Sequence, residues 1–174
     1  LLEKTVLPQT SSVGRLFDAV ASIIDVMDVQ TYEGEAAMYL EQLARRYQRE
    51  TPADSLSQIK SYDFNIAIGE AGTIISHRRI KELVKDRMNG KDRSMIAFRF
   101  HLTLVEIIGL LASKLRIHKL AFSGGVWQNS LLVDLLNDQL AGECELYFHA
   151  DLSPNDENIS FGQLVRSQMA DFSG

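Results

Sequence analysis

One cysteine, Cys144, stands in a chain of 174 residues. A single thiol closes no internal disulfide and builds no cysteine-rich zinc site. It fits a reducing compartment, so the cytoplasm is the expected location. The flanking Glu143 and Glu145 offer no positive charge to lower a thiol pKa, so no activated nucleophile is expected there. Proline occurs only three times, which excludes a collagen-like or proline-rich chain. No apolar run approaches the ~20 residues that a membrane span requires. The longest, over 107–115, is broken by Ser113 and Lys114. No basic stretch followed by an apolar one opens the sequence, so no secretory signal is expected. The opening Leu1-Leu2-Glu3 lacks an initiator methionine, and the expectation is a segment of something longer. Basic excess is missing too. Eighteen Lys and Arg face twenty-three Asp and Glu, for a net charge of −5, which disfavours a nucleic-acid partner.

What remains is ordinary globular composition, 45% apolar and 24% charged. On a prior of ~150 residues per domain, residues 1–174 read as one domain. A chain of this size buries roughly 70% of its unfolded surface, enough for a core without staples.

The hydroxyls of Thr10-Ser11-Ser12 can cap a helix beginning near Val13. There Val13, Leu16, Phe17, Val20, Ile23, Ile24 and Met27 recur at the helical period. Gly14 and Asp18, four apart, share a face away from that stripe. A second helix is expected over 34–49, with Ala36, Leu40, Leu43, Ala44 and Tyr47 inward. Phe64, Ile66 and Ile68 alternate before Gly69-Glu70-Ala71-Gly72, and residues 73–76 can return as a partner strand, so a hairpin with a four-residue loop is expected. Helices follow over 80–88, stopping at Asn89-Gly90, and over 94–116. The last third changes rhythm: a strand at 119–122, a glycine turn, a helix carrying Leu131, Leu132, Leu135 and Leu136, a strand at 145–148, a polar loop at 151–158 and a helix at 159–171. That order is an α/β unit with crossover connections.

Ser123-Gly124-Gly125-Val126-Trp127-Gln128-Asn129 joins a strand end to a helix start. Glycines there let the backbone approach a ligand, and free N–H groups of a first helical turn attract anions. It matches neither the Walker pattern nor the dinucleotide fingerprint, and such a turn alone is more often plain turn chemistry. Gly14 weakens a first helical turn by ~1 kcal/mol against alanine. Either close helix packing or room for a ligand explains it, with Asp18 one turn on accepting from hydroxyls such as a ribose. Asp156 reads locally as a helix cap, or more sharply as a carboxylate that ligates a metal or orients a phosphate. His77, His101, His118 and His149 lie too far apart for helical metal spacing, and His101 reads as a packed or partly exposed helix residue rather than a ligand. No Gly-x-Ser-x-Gly elbow occurs. Arg45, Arg46 and Arg49 read as a solvated helix face.

Taken together, four segments resemble one family. Thr10-Ser11-Ser12-Val13-Gly14-Arg15-Leu16-Phe17-Asp18-Ala19-Val20 resembles a block of HypF, the hydrogenase maturation carbamoyltransferases. Tyr32-Glu33-Gly34-Glu35-Ala36-Ala37 resembles the next block. Residues 122–129 with Leu131-Leu132 resemble the family's glycine turn and helix. Ser153-Pro154-Asn155-Asp156, with Ile159 and Phe161-Gly162-Gln163, resembles its C-terminal signature. Glu157 and Asn158 depart from the pattern, standing where the family usually places glycines. This region of HypF is similar to the TsaD tRNA threonylcarbamoyl transferases, both within the actin-like ATPase superfamily, with two ribonuclease-H-like lobes around a nucleotide cleft.

The resemblance implies an α/β ribonuclease-H-like, actin-like lobe with a mixed sheet flanked by helices. Residues 1–174 would be the second lobe alone. The first lobe, with its His-x-x-x-His metal pair, is absent from this sequence. By the same resemblance, Gly14, Asp18, Gly124, Gly125 and Asn129 would line the nucleotide, and Asp156 would complete a divalent metal site (zinc, iron or magnesium) with ligands outside the chain. The implied activity is ATP- and carbamoyl-phosphate-dependent: a carbamoyl-adenylate gives its carbamoyl group to the C-terminal cysteine of HypE during nickel–iron hydrogenase maturation. The rest of the HypF chain is the other implied partner, and the segment alone is expected to turn over nothing. Rival readings are a tRNA threonylcarbamoyl transferase, a small-molecule kinase of the superfamily, and a noncatalytic docking lobe.

Overall fold

The computed structural model describes residues 12–63, 66–69, 72–75 and 78–171. Thr10, Ser11, Phe64, Glu70, Ala71, Ser76 and His77, which entered the sequence reading, lie outside them. Helix α1 (Val13–Ile23) begins as its cap dictates: Ser12 is the N-cap, and its Oγ accepts from Arg15 N at 3.4 Å. Phe17, Val20 and Ala21 are buried along the expected stripe. Helix α2 (Glu35–Glu50) starts from Gly34 in the left-handed region, φ 82°. Glu35 reaches back to accept from Thr31 N at 2.6 Å, so the first turn closes on a carboxylate that also suits the helix dipole. Its buried residues Ala36, Leu40 and Ala44 include two alanines, which let α2 lie close against the central helix.

A short α3 (Ala53–Leu56) follows. Strands β1 (Ile66–Gly69) and β2 (Gly72–Ile75) form the expected hairpin. Pairing runs through Gly69↔Gly72, so two residues rather than four separate the strands. Helix α4 (Arg78–Met88) ends at Asn89 and Gly90, the glycine at φ 72°.

Helix α5 (Arg93–Leu115) is the core of the molecule. Asp92 caps it, accepting from Ser94 N and Ser94 Oγ at 2.6 Å each, and these bonds hold its carboxyl below the usual range. Ile96, Ala97, Phe98, Phe100, Leu104 and Val105 are buried on several faces, against α1, α2 and α6. By length and composition α5 is apolar enough to cross a membrane, which counting unbroken runs did not reveal. Here 56% of its most apolar window is buried inside the fold, as a core helix requires. The segment before β1 is clamped to it. Thr103 Oγ1 accepts from Tyr62 N at 2.9 Å, the Arg99 guanidinium lies 4.0 Å from the Tyr62 ring centroid, and Tyr62 OH donates to Asp86 at 3.2 Å. Burial raises the Tyr62 phenol well above its ordinary range.

Strands β3 (Lys119–Ala121) and β4 (Glu145–Tyr147) pair in parallel, joined by a 3₁₀ turn (Gly125–Gln128) and α6 (Ser130–Leu140). Leu131, Leu132, Leu135, Leu136 and Leu140 are all buried. Among the described residues the strands make two separate ladders, one antiparallel and one parallel, within the α/β class. A second 3₁₀ turn (Asp156–Asn158) leads into α7 (Ile159–Asp171), the closing helix at its expected bounds.

Candidate functional site

Parallel strands end on the same side, and ligands of α/β folds sit beyond those carboxyl ends. At that edge Phe122 N donates to Tyr147 O at 2.9 Å, carrying the pairing one residue past β3. Phe122 stacks on Phe148 with centroids 4.8 Å apart and tilts against Trp127 at 4.5 Å. Ser123 Oγ and His149 Nε2, one step further along each strand, are 3.1 Å apart. The glycine turn rises from this base.

Gly124 adopts φ 107° and ψ 156°, a conformation side chains disfavour strongly. Its N–H donates to Pro154 O at 2.6 Å, and Gln128 Nε2 donates to Ser153 Oγ at 3.3 Å. The loop that carries Asp156 is therefore bound to the glycine turn. A Cβ built at Gly124 or at Gly125 would meet none of the described residues within 4 Å, so among them the face of the turn is open.

Asn129 faces the other way. It is buried, and both ends of its amide are bonded: Oδ1 accepts from Leu132 N at 3.0 Å as the N-cap of α6, while Nδ2 donates to His101 Nε2 at 3.0 Å. His101, 0% exposed, donates from Nδ1 to Ala97 O at 2.8 Å. Those two bonds assign the tautomer, with the proton on Nδ1. Desolvation pushes the imidazole pKa down to about 4, against a smaller upward pull from the Ala97 bond and Glu41, so the ring is neutral near neutral pH.

Phe17 of α1 meets the same imidazole edge-on, centroids 5.4 Å apart, and α1 also touches the 3₁₀ turn. Gly14 and Asp18 flank Phe17 on that helix. A Cβ at Gly14 would meet only Ser12 Oγ, at 3.6 Å, an ordinary contact. Close packing by another described helix therefore does not explain this glycine. Asp18 is partly exposed and pairs with Arg15 at 3.2 Å.

Asp156 opens its 3₁₀ turn as an exposed residue, and the cap is its neighbour: Asn155 Oδ1 accepts from Glu157 N at 3.1 Å. The capping role that the sequence suggested for Asp156 thus belongs to Asn155. The Asp156 carboxylate makes no hydrogen bond or ion pair among the described residues. It is a free hard-oxygen donor, the type a divalent cation takes. No cluster of three His, Cys, Asp or Glu lies among the described residues, so those residues do not by themselves complete a metal shell. Asn158, at a departure from the family pattern, buries its Nδ2 without a partner among the described residues.

The structure thus joins Gly124, Gly125 and Asn129 in one turn, ties the Asp156 loop to it, and sets α1 against the same base. No direct bond links Asp18 or Asp156 to another candidate residue among those described. Two open clefts of about 500 and 380 Å³ lie along α2, lined in part by Glu41, Arg45 and Arg46, and neither includes a candidate residue. The His101–Asn129 and Ser123–His149 contacts are what sequence reasoning missed: they join residues 28 and 26 positions apart, and no local pattern announces them.

Over residues 1–163 the sequence matches the family described as "Carbamoyltransferase, Kae1-like Domain, second subdomain". The carbamoyltransferase HypF of Synechocystis sp. is 32% identical over 161 residues, covering 91% of this chain and 19% of its own length. A crystal structure of full-length HypF in the phosphate- and nucleotide-bound form matches with a TM-score of 0.72 at 32% identity, over 88% of this chain and 23% of that one. The crystal structure of HypF from T. kodakarensis shares the fold at a TM-score of 0.63 and 24% identity, over 84% of this chain and 18% of that one. The chain spans about a fifth of the length of the curated relatives it matches. Its α/β architecture is that of the actin-like lobe in these proteins, and the chain belongs to the carbamoyltransferase HypF family, as the second subdomain of the Kae1-like domain.

Proposed function

We propose that this segment is the nucleotide-holding lobe of a HypF carbamoyltransferase. In that reading it binds the adenylate half of a carbamoyl-adenylate made from ATP and carbamoyl phosphate, working with the rest of the HypF chain in the cytoplasm. The acceptor is the C-terminal cysteine thiol of HypE, and the process is nickel–iron hydrogenase maturation. One observation carries the reading: in a chain of this family, the glycine turn presents open backbone at the carboxyl ends of β3 and β4 and is bonded to the loop that bears Asp156. That a similar full-length HypF was crystallised in a phosphate- and nucleotide-bound form supports it further.

The residues divide the work. Gly124 and Gly125, bare of side chains, let phosphate approach the backbone. Asp18 accepts from ribose hydroxyls, and its exposed pair with Arg15 is weak enough to yield to them. Asp156 supplies an oxygen ligand to a divalent cation, which when bound offsets phosphate charge or polarises the carbonyl. In the transfer the acceptor sulfur forms a C–S bond to the carbamoyl carbon. The C–O bond to the adenylate phosphate breaks, AMP leaves with the electron pair, and the thiol proton passes to solvent. The nucleophile comes from the partner, so this segment needs no activated cysteine or serine of its own.

The test uses a full-length HypF chain containing this sequence, with ATP, radiolabelled carbamoyl phosphate and HypE. Label is expected on the HypE C-terminal cysteine and is expected to vanish in folded Asp18→Ala and Asp156→Ala variants. A folded, metal-replete chain that transfers no label sinks the reading. Tight HypE binding without any nucleotide response would instead mark a docking lobe. Stoichiometric tRNA binding would mark the threonylcarbamoyl class, and ATP-dependent phosphorylation without carbamoyl phosphate a kinase.

A further inference from the structure

Two anchors hold the glycine turn. On the surface, Gly124 N–H is bonded to Pro154 O at 2.6 Å. In the core, Asn129, the residue that closes the 3₁₀ turn, is bonded to His101 Nε2 at 3.0 Å. Between the anchors, the turn is open at Gly125. The core anchor does more than hold one loop. The His101 ring also carries the edge of Phe17, and Phe17 sits on α1 between Gly14 and Asp18. One side chain of α5 therefore touches both α1 and the residue that closes the glycine turn.

We infer that His101 is the positioning residue of the nucleotide site, its neutral Nε2 fixing Asn129 and its ring packing against Phe17 of α1. The inference rests on the nucleotide-holding reading and deepens it: the ligand class is an adenylate, held across α1 and the turn. The chemistry of the ring is specific to the task. Its Nδ1–H is committed to Ala97 O, so Nε2 has only its lone pair to offer, and Asn129 must present its NH₂ group. That leaves Asn129 Oδ1 for the Leu132 N–H, which starts α6 at a defined residue. Remove the acceptor and the Asn129 NH₂ group loses its core partner, so the turn keeps its bonds to the Asp156 loop and the Trp127–Phe122 contact but loses its bond to α5. A phenylalanine at 101 retains a ring against Phe17 but accepts nothing. A glutamine retains an acceptor.

The test measures AMP affinity in a full-length HypF chain containing this sequence. His101→Phe is expected to weaken AMP binding roughly tenfold or more, and His101→Gln to recover most of the loss. Asn129→Ser keeps a hydroxyl to cap α6 but is too short to reach His101, and it is expected to weaken AMP binding comparably. Combining His101→Phe with Asn129→Ser is expected to add little, since both break one bond. Asn129→Ser carries the same test if His101→Phe fails to fold. Wild-type affinity in the folded single variants overturns the positioning role alone. Fully additive losses overturn it too, because they assign separate structural defects. A wild-type chain that binds no AMP overturns the nucleotide reading and this inference with it.

Discussion

Gly14→Ala separates stability from binding more sharply than any other change to this site. Gly14 is the second residue of α1, where alanine is the better helix former. Among the described residues the built Cβ meets Ser12 Oγ at 3.6 Å and nothing else within 4 Å, so none of them sets strain against that gain. The substitution is expected to stabilise α1 by about 0.5–1 kcal/mol, through helix propensity and a less flexible unfolded chain. In hydrogen exchange that slows opening of α1 by about two- to fivefold. Binding moves in the opposite direction. If the adenylate lies against Gly14, the added methyl occupies ligand space, and overpacking of that kind costs about 1–3 kcal/mol. The AMP dissociation constant is then expected to rise by about five- to 150-fold. The assay pairs exchange of the α1 peptide with AMP titration on the same full-length HypF chain. Slower exchange with unchanged affinity would refute the placement of a ligand against Gly14. Faster exchange would refute the open-space argument itself, since some part of the folded protein must then fill the position.

Two further outcomes follow from the same geometry. Gly124→Ala is expected to destabilise by about 1–3 kcal/mol from its backbone conformation alone, whereas Gly125→Ala, with open space and no left-handed φ, is expected to leave urea stability unchanged while weakening AMP binding. Equal stability losses in the two would contradict the assigned turn. His101 makes stability depend on pH: the native ring stays neutral down to about 4, while the unfolded ring takes a proton near the ordinary value of ~6.5. The unfolded state therefore binds more protons in that interval. Stability falls as pH drops through it, by about 3 kcal/mol in all. Urea midpoints between those pH values should show this slope in the wild type and a shallower one in His101→Phe. The same slope in both would place the titration elsewhere.

The elements were legible where their cause is local. Ser12 capped α1, Leu131, Leu132, Leu135 and Leu136 marked one buried face, and the glycine of Asn89-Gly90 stopped α4. Where the cause lies in pairing or in another element, the sequence was silent or misleading. The hairpin loop shortened because the ladder extends to Gly69↔Gly72, which only the partner strand decides. Asn155 took the capping role expected of Asp156, because an adjacent side chain of the same type competes for the same N–H groups. Of the candidate site, the glycines and the two aspartates were readable as residue types. Asn129 was readable as a site residue too, yet its amide is turned inward to α5. That orientation depends on a histidine 28 positions away, whose own signature is that of a packed helix residue.

The polar residues of α5 make sense on the same terms. A helix apolar on nearly every side has no need of them for solubility, and five of them, Ser94, Arg99, His101, Thr103 and Glu106, are instead bonded to a segment outside the helix or to its cap. Ser94 closes the N-terminal cap with Asp92. Arg99 donates to Lys60 O at 2.9 Å, Thr103 receives Tyr62 N, and Glu106 accepts from Ser61 Oγ at 2.5 Å, so three of them clamp the strand-like run 60–62. His101 reaches forward in sequence, to Asn129 and the glycine turn. Replacing Thr103 or His101 with leucine would make α5 more apolar but would leave Tyr62 N or the Asn129 amide without its buried partner, and an unsatisfied buried group costs about 1–3 kcal/mol. The central helix therefore acts as a rail on which non-helical segments are fixed at chosen heights. Under the proposed function, the glycine turn can be bare and open on its ligand side because its other end is bonded to the most buried helix in the molecule.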